Sequence, residues 1–212
     1  MTVYVLEIDS FVKIGVSYDF DQRLKAYSGV KRIETFHIPN DEFIANYIET
    51  RLMDNFNSET EYIYNQSFEN VVKYAFELIN SLEFKSVDFK PLGIEIECSN
   101  EGYYGIDNIM EYISSVRKKK GKNKLFIADY IKTKATKEFL DITYADNKKK
   151  PIITKVGAYG GTIALPYVVI DILLWSDVTI KYDVMNWMWN DKKDYLKFCN
   201  PDILFKKAKE EL

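Results

Sequence analysis

Residues 2–17 constrain the fold more than any other stretch of the chain. Apolar side chains alternate with others through TVYVLEI and again through FVKIGVS, and only Asp9 and Ser10 separate the two runs. Alternation at period two puts one set of side chains on a buried sheet face, and two such runs joined by a short polar turn make an antiparallel hairpin. That face needs apolar cover. A short helix is expected from Phe20 to Tyr27, closed by Gly29, and residues 31–38 read as a third strand ended by Pro39. Asn40 or Asp41 can cap a helix running to about Phe56, and a second long helix spans Ser67 to Leu82.

The chain has 212 residues, 47% apolar and 15% aromatic, enough for two domains of about 100 residues each. EFKSVDFKPLG at 83–93 loses helical periodicity and carries Pro91 and Gly93, which marks a junction. The expected organisation is a first domain over 1–85, a linker over 86–93, a second domain over 94–198 and an amphipathic tail over 199–212. In the second domain IEIECSNEGYYGIDNIMEYI reads as strand, glycine turn and helix. Residues 125–140 are helical, 141–159 a hairpin or irregular ribbon, and two further helices run from Pro166 to Trp175 and from Ile180 to Trp189. The fold class is α+β in both domains, the first a small antiparallel sheet flanked by helices.

Composition excludes several kinds of site. The longest apolar run, LPYVVIDILLW at 165–175, is too short to span a bilayer and contains Asp171, and no basic region precedes an apolar core at the N-terminus. A soluble protein of the reducing cytoplasm is expected. Cys98 and Cys199 have no zinc-ligand spacing and read as buried thiols, while the single histidine, His37, excludes sites built on two imidazoles. Chemistry must therefore run on Tyr, Lys, Arg and Glu. The net charge of −3 hides an asymmetry, with 8 basic against 14 acidic residues over 1–85 and 13 against 6 over 105–155. The second half is the stronger anchor for a polyanion, since Lys and Arg release counterions from phosphates; a solvated lysine-rich surface is the alternative.

Tyr4 in the first strand, Lys13-Ile14-Gly15 in the second, Arg23 on a helix and Glu49 on another form an ordered set that resembles the GIY-YIG endonucleases. The resemblance is to the divergent branch in which lysine stands for the second tyrosine of the signature. It implies that Tyr4 acts as general base or positions the attacking water, and that Glu49 is the sole protein ligand of Mg²⁺ (or Mn²⁺). It also implies that Arg23 grips the scissile phosphate. Lys13, on the neighbouring strand, is suited to lowering the phenol's pKa. Read without the family, Arg23 is an ordinary exposed arginine, Glu49 a salt-bridge partner of Arg51 or Lys13, and Gly15 a close-approach or bulge position. Glu61, in ETEYIY, serves packing or assists the site.

A second resemblance, over 94–195, is to the KilA-N DNA-binding domain of bacteriophages and large DNA viruses. It rests on the Gly-Tyr turn at 102–104, Gly160-Gly161-Thr162, Pro166, Asp171, Trp175 and Trp187, with Leu165 where the family usually has histidine. The DNA contacts it leaves to be assigned fall to Arg117, Lys118, Lys119, Lys120, Lys122 and Lys124, then Lys148, Lys149, Lys150 and Lys155. Together the two resemblances imply a phage or viral DNA endonuclease of the infected cell's cytoplasm. The alternative is a non-catalytic regulator or antirepressor that uses the first domain to hold a host or phage regulatory protein.

Overall fold

The hairpin forms in the register that the alternation predicts. In the computed structural model, which describes residues 1–38, 42–58, 60–154 and 161–206, β1 (Thr2–Ile8) pairs antiparallel with β2 (Phe11–Ser17), setting Tyr4 opposite Gly15 and Leu6 opposite Lys13. β3 (Val30–His37) pairs with the other edge of β1, with a register shift between Glu7 and Ile8. β4 (Tyr62–Ile63) adds to β2, giving the sheet order β3-β1-β2-β4.

Each face of this sheet is covered by different helices. Val3, Val5, Val12, Ile14 and Val16 form one core with Ala45, Ile48 and Leu52 of α2 (Glu42–Asn55) and Val71, Ala75 and Leu78 of α3 (Phe68–Ser81). Each such buried aliphatic contributes about 1.5–3 kcal/mol relative to exposure. Ser67 caps α3, its hydroxyl accepting from the Asn70 amide at 3.2 Å. On the opposite face Tyr4, Leu6 and Ile8 pack with Phe20 and Leu24 of α1 (Phe20–Leu24) and with Tyr27 and Val30. Asp19 caps α1 through Gln22 at 2.9 Å. The helix ends at Leu24, earlier than expected, and single i to i+3 turns carry the chain on to Tyr27.

The chain divides after Leu82, with Glu83–Ile153 and Thr162–Leu212 making the second unit. The expected linker over 86–93 does not exist as such. β5 (Phe84–Phe89) pairs with β6 (Ile94–Ser99), Val87 opposite Ile96 and Phe89 opposite Ile94, and the Pro91 and Gly93 taken for a boundary are the turn residues of this hairpin. β7 (Tyr104–Gly105), β8 (Ile152–Thr154) and β9 (Thr162–Ala164) complete a sheet of order β5-β6-β7-β9-β8.

The helices of this unit are α4 (Asp107–Lys119), α5 (Ile127–Lys132), α6 (Lys134–Asn147), α7 (Pro166–Ser176), α8 (Val178–Asn190), α9 (Lys192–Cys199) and α10 (Asp202–Lys206). The ribbon expected from residue 141 begins too early. Helix α6 continues to Asn147 and is closed by Lys148 in the left-handed region, φ 55°. Nor is the described part of the tail, 199–206, a separate appendage: Phe205 joins the core of Tyr104, Ile109, Leu173, Trp187 and Phe198, and the Lys85 ammonium donates to the Leu204 carbonyl, while 207–212 lie outside the described residues. Both units are α+β, each with an antiparallel sheet flanked by helices. Among the described residues no helix is long and apolar enough to cross a membrane.

Candidate functional site

Antiparallel register places paired residues on one sheet face and diagonal neighbours within reach of long side chains. Tyr4 and Lys13 are such a diagonal pair, since Tyr4 lies opposite Gly15 and Leu6 opposite Lys13. Lys13 in turn lies opposite Tyr62 of β4. Helix α1 and the turn after it add Arg23 and Tyr27 to the same face. The Tyr4 and Tyr27 hydroxyls are 3.1 Å apart, and the Arg23 guanidinium lies 5.5 Å from the Tyr27 ring centre. The Lys13 ammonium stands 4.3 Å from the Tyr62 ring centre and 5.4 Å from that of Tyr27, and it is ion-paired with Glu61.

The structure thus brings together three of the four residues singled out in the first domain: Tyr4, Lys13 and Arg23. It adds Tyr27 and Glu61, of which sequence reasoning missed the first entirely. Tyr27 had a detectable signal, lying four residues after Arg23, the spacing at which neighbouring helical turns meet. Glu61 stands out in ETEYIY, but its partner is not legible there because β4 spans only two residues.

Gly15 owes its place to close packing. A Cβ built there would strike the Tyr4 phenol, with Cε2 at 2.8 Å and the ring tip closer still. The strand is regular at this point, so the bulge reading does not apply.

Tyr4 and Lys13 are each 1% exposed, whereas Arg23 is exposed. A cleft of about 430 Å³ opens beside Arg23, lined also by Ser17, Tyr18, Asp19 and Gln22. Burial, reinforced by the Tyr27 hydrogen bond, holds the Tyr4 phenol well above the ordinary tyrosine range, and the opposing effect of Arg23 is smaller. In this arrangement Tyr4 is a protonated donor that can orient a bound group.

Glu49 is fully buried, 0% exposed, on α2, the helix whose Ala45, Ile48 and Leu52 cover the opposite sheet face. Of the neighbours expected for it, Lys13 is ion-paired with Glu61, and Arg51 also pairs with Asp54 at 2.9 Å. A carboxylate is the oxygen donor that Mg²⁺ or Mn²⁺ takes. The chemistry fits such an ion, but Mg²⁺ keeps several waters, and their entry requires Glu49 to be uncovered. Among the described residues no three His, Cys, Asp or Glu side chains cluster as a ligand set.

The basic run of the second unit splits into two groups. Arg117 donates to the carbonyls of Asn123 at 2.8 Å and Ser176 at 3.0 Å. Lys120 and Lys122 both clamp the buried carboxylate of Asp177, the N-cap of α8, the latter at 2.8 Å. These three tie the loop after α4 to the start of α8. Lys118, Lys119 and Lys124 are exposed, with Lys124 5.5 Å from the Phe126 ring centre. Lys148 caps α6, Lys149 donates to the Glu101 carbonyl at 2.9 Å, and the Lys150 carbonyl accepts from Tyr103 at 3.0 Å. Lys155 lies outside the described residues.

The Asp177 clamp makes a pH-dependent contribution. Lys120 first, then Lys122, hold the Asp177 carboxyl well below its ordinary 3.8. A depressed folded-state value means stabilisation fully present above the unfolded value and lost as pH falls through the folded one. Asp177→Asn should therefore lower the melting temperature of the second unit at neutral pH. Thermal melts against pH should show that gap narrowing only below about pH 4.

The fold and site define an α+β chain of two antiparallel sheets, with an arginine- and tyrosine-lined cluster on one face of the first. No family model matches the chain, and neither a curated protein nor a solved structure matches it.

Proposed function

We propose that this chain is a phage or viral DNA-binding protein whose first unit is a metal-dependent endonuclease of the GIY-YIG type and whose second is a KilA-N-type DNA anchor. The observation that carries the reading is the convergence of Tyr4, Lys13 and Arg23 on one sheet face, with Tyr27 hydrogen-bonded to Tyr4. Hydrolysis of a phosphodiester needs a gripped phosphate, an oriented water and a cation for the charge that develops. Arg23, exposed at the cleft and always charged, grips phosphate oxygens. The Tyr4–Tyr27 pair orients the water, and Lys13, held by Glu61, is fixed behind it. Glu49 would hold Mg²⁺ or Mn²⁺, which would supply Lewis acidity and a more acidic bound water, once the carboxylate on this helix of the opposite sheet face is uncovered. In the second unit Lys118, Lys119 and Lys124 are free of the Asp177 clamp and fit phosphate contacts. The place of action is the infected cell's cytoplasm.

A second reading is a non-catalytic regulator or antirepressor with a host or phage regulatory protein as partner. The burial of Tyr4, Lys13 and Glu49, 1%, 1% and 0% exposed, favours it, because a working centre must admit substrate and ion.

Supercoiled-plasmid cleavage separates the two. The nuclease reading expects nicking with Mg²⁺ or Mn²⁺, abolished by Glu49→Ala while gel-shift binding persists. Lys118→Ala with Lys119→Ala should weaken binding and flatten its salt dependence by about two counterions. Binding without nicking across supercoiled, linear and branched DNA would give the regulator reading the stronger claim.

A further inference from the structure

Helix α8 is apolar on two opposite sides. Ile180, Val184 and Trp187 are buried in the core of the second unit, while Val178, Tyr182, Met185 and Trp189 are 72%, 69%, 53% and 76% exposed. At about 100° per residue the four exposed side chains fall within an arc of roughly 60°, a narrow stripe on the solvent side. Lys192 lies 5.4 Å from the Trp189 ring centre, at one end of it. Four scattered apolar residues would need no explanation. Four aligned ones, two of them aromatic, mark an interaction surface.

The spacing identifies the occupant. Positions 178, 182, 185 and 189 are separated by four, three and four residues, the a/d spacing of a helix–helix seam. That order reads the same in both directions. An antiparallel copy of α8, related by a two-fold axis between residues 183 and 184, therefore sets every stripe residue opposite another. Trp189 meets Val178 of the second copy, and Tyr182 meets Met185 of the second copy. Each layer joins a large ring to a smaller or more flexible side chain, and the Tyr–Met layer permits the sulfur–aromatic contact.

Thr179, Asn186 and Asn190 flank the stripe on one side and carry no charge, while Lys181 flanks it on the other. The stripe exposes roughly 500 Å² of side chain per copy, so mutual burial approaches 1,000 Å², the lower bound for a specific interface.

We infer that the chain forms a two-fold symmetric dimer through an antiparallel pairing of α8 stripes. The first test is sedimentation velocity of the full chain, free of DNA, over micromolar concentrations. A concentration-dependent dimer is expected, and Tyr182→Arg with Met185→Arg should weaken it on the order of a hundredfold. Both positions are exposed, and an unchanged circular dichroism spectrum keeps that comparison valid; Trp189→Glu provides an independent disruption. Register is read by oxidation in a Cys199→Ser background. Val178→Cys with Trp189→Cys should cross-link two copies, while Tyr182→Cys alone should not, since 182 faces 185 across the axis. A monomer at every concentration overturns the inference, and so does a dimer that survives both disruptions. Cross-linking through Tyr182→Cys alone overturns the antiparallel arrangement. A monomeric wild type whose DNA binding falls when the stripe is charged would reassign the stripe to nucleic acid. None of these outcomes depends on whether the first unit cuts DNA.

Discussion

Glu61→Ala should destabilise the first unit by about 3 kcal/mol, whereas Lys13→Met should cost about 1 kcal/mol or less. The asymmetry follows from where the two charges sit. The Lys13 side chain is 2% exposed and that of Glu61 is 30% exposed. Removing the carboxylate leaves an ammonium enclosed by strand β2 and the Tyr27 and Tyr62 rings, whose cation–π attraction offsets only part of the lost pair. Removing the ammonium leaves a carboxylate that water still reaches, while methionine fills the vacated space with an apolar stem. Chemical denaturation of both variants measures the difference directly. Equal losses would mean that Lys13 reaches solvent when Glu61 is gone, and that its burial is not imposed by the fold. The same pair bears on function. Under the nuclease reading Lys13→Met folds and binds DNA but does not nick it, so the cheaper change in stability is the costlier one in activity.

That pair shows where sequence reasoning stops. The β1–β2 hairpin, α2 and α3 were legible because each carries its own period and, for α3, its own cap at Ser67. Tyr4, Lys13 and Arg23 were legible as a set because a hairpin and the helix that follows it leave little freedom in which side chains share a face. Longer-range partners were not. Lys120 and Lys122 resembled a phosphate-binding run, but their partner Asp177 lies 57 and 55 residues away, and no local pattern links them. Strand β5 escaped notice because its Lys85, Ser86 and Asp88 interrupt the alternation, and pairing with β6 sets its structure. The stripe on α8 was hidden for a different reason. With apolar residues on both sides, the helix shows no single amphipathic face, and burial alone separates Trp187 in the core from Trp189 in solvent.

Gly15→Ala should cost about 1–3 kcal/mol, the usual penalty of an extra methyl group in a filled core, against a small gain from the less flexible unfolded chain. The new Cβ would overlap the ring tip of Tyr4, with Cε2 at 2.8 Å. Tyr4 cannot simply step aside. It is 1% exposed and packs against Phe20 with ring centres 5.2 Å apart, and its hydroxyl meets Tyr27 at 3.1 Å. The clash comes from the distal part of the ring, which makes a double-mutant cycle decisive. Tyr4→Phe removes the hydroxyl but keeps the ring carbons that also overlap, so it should give only partial relief. Tyr4→Leu ends short of them, so Gly15→Ala should cost little in that background, with a coupling of about 1–2 kcal/mol. Additive effects of Gly15→Ala and Tyr4→Leu would place the glycine's cost in the backbone and remove the steric link between the two strands. The consequence for the site is specific. Because the same phenol meets Tyr27, under the nuclease reading a displaced Tyr4 should abolish nicking even under conditions where the variant remains folded. On that reading, restoring stability with Tyr4→Leu should leave nicking absent, which separates the packing role of this tyrosine from the role proposed for it in the chemistry.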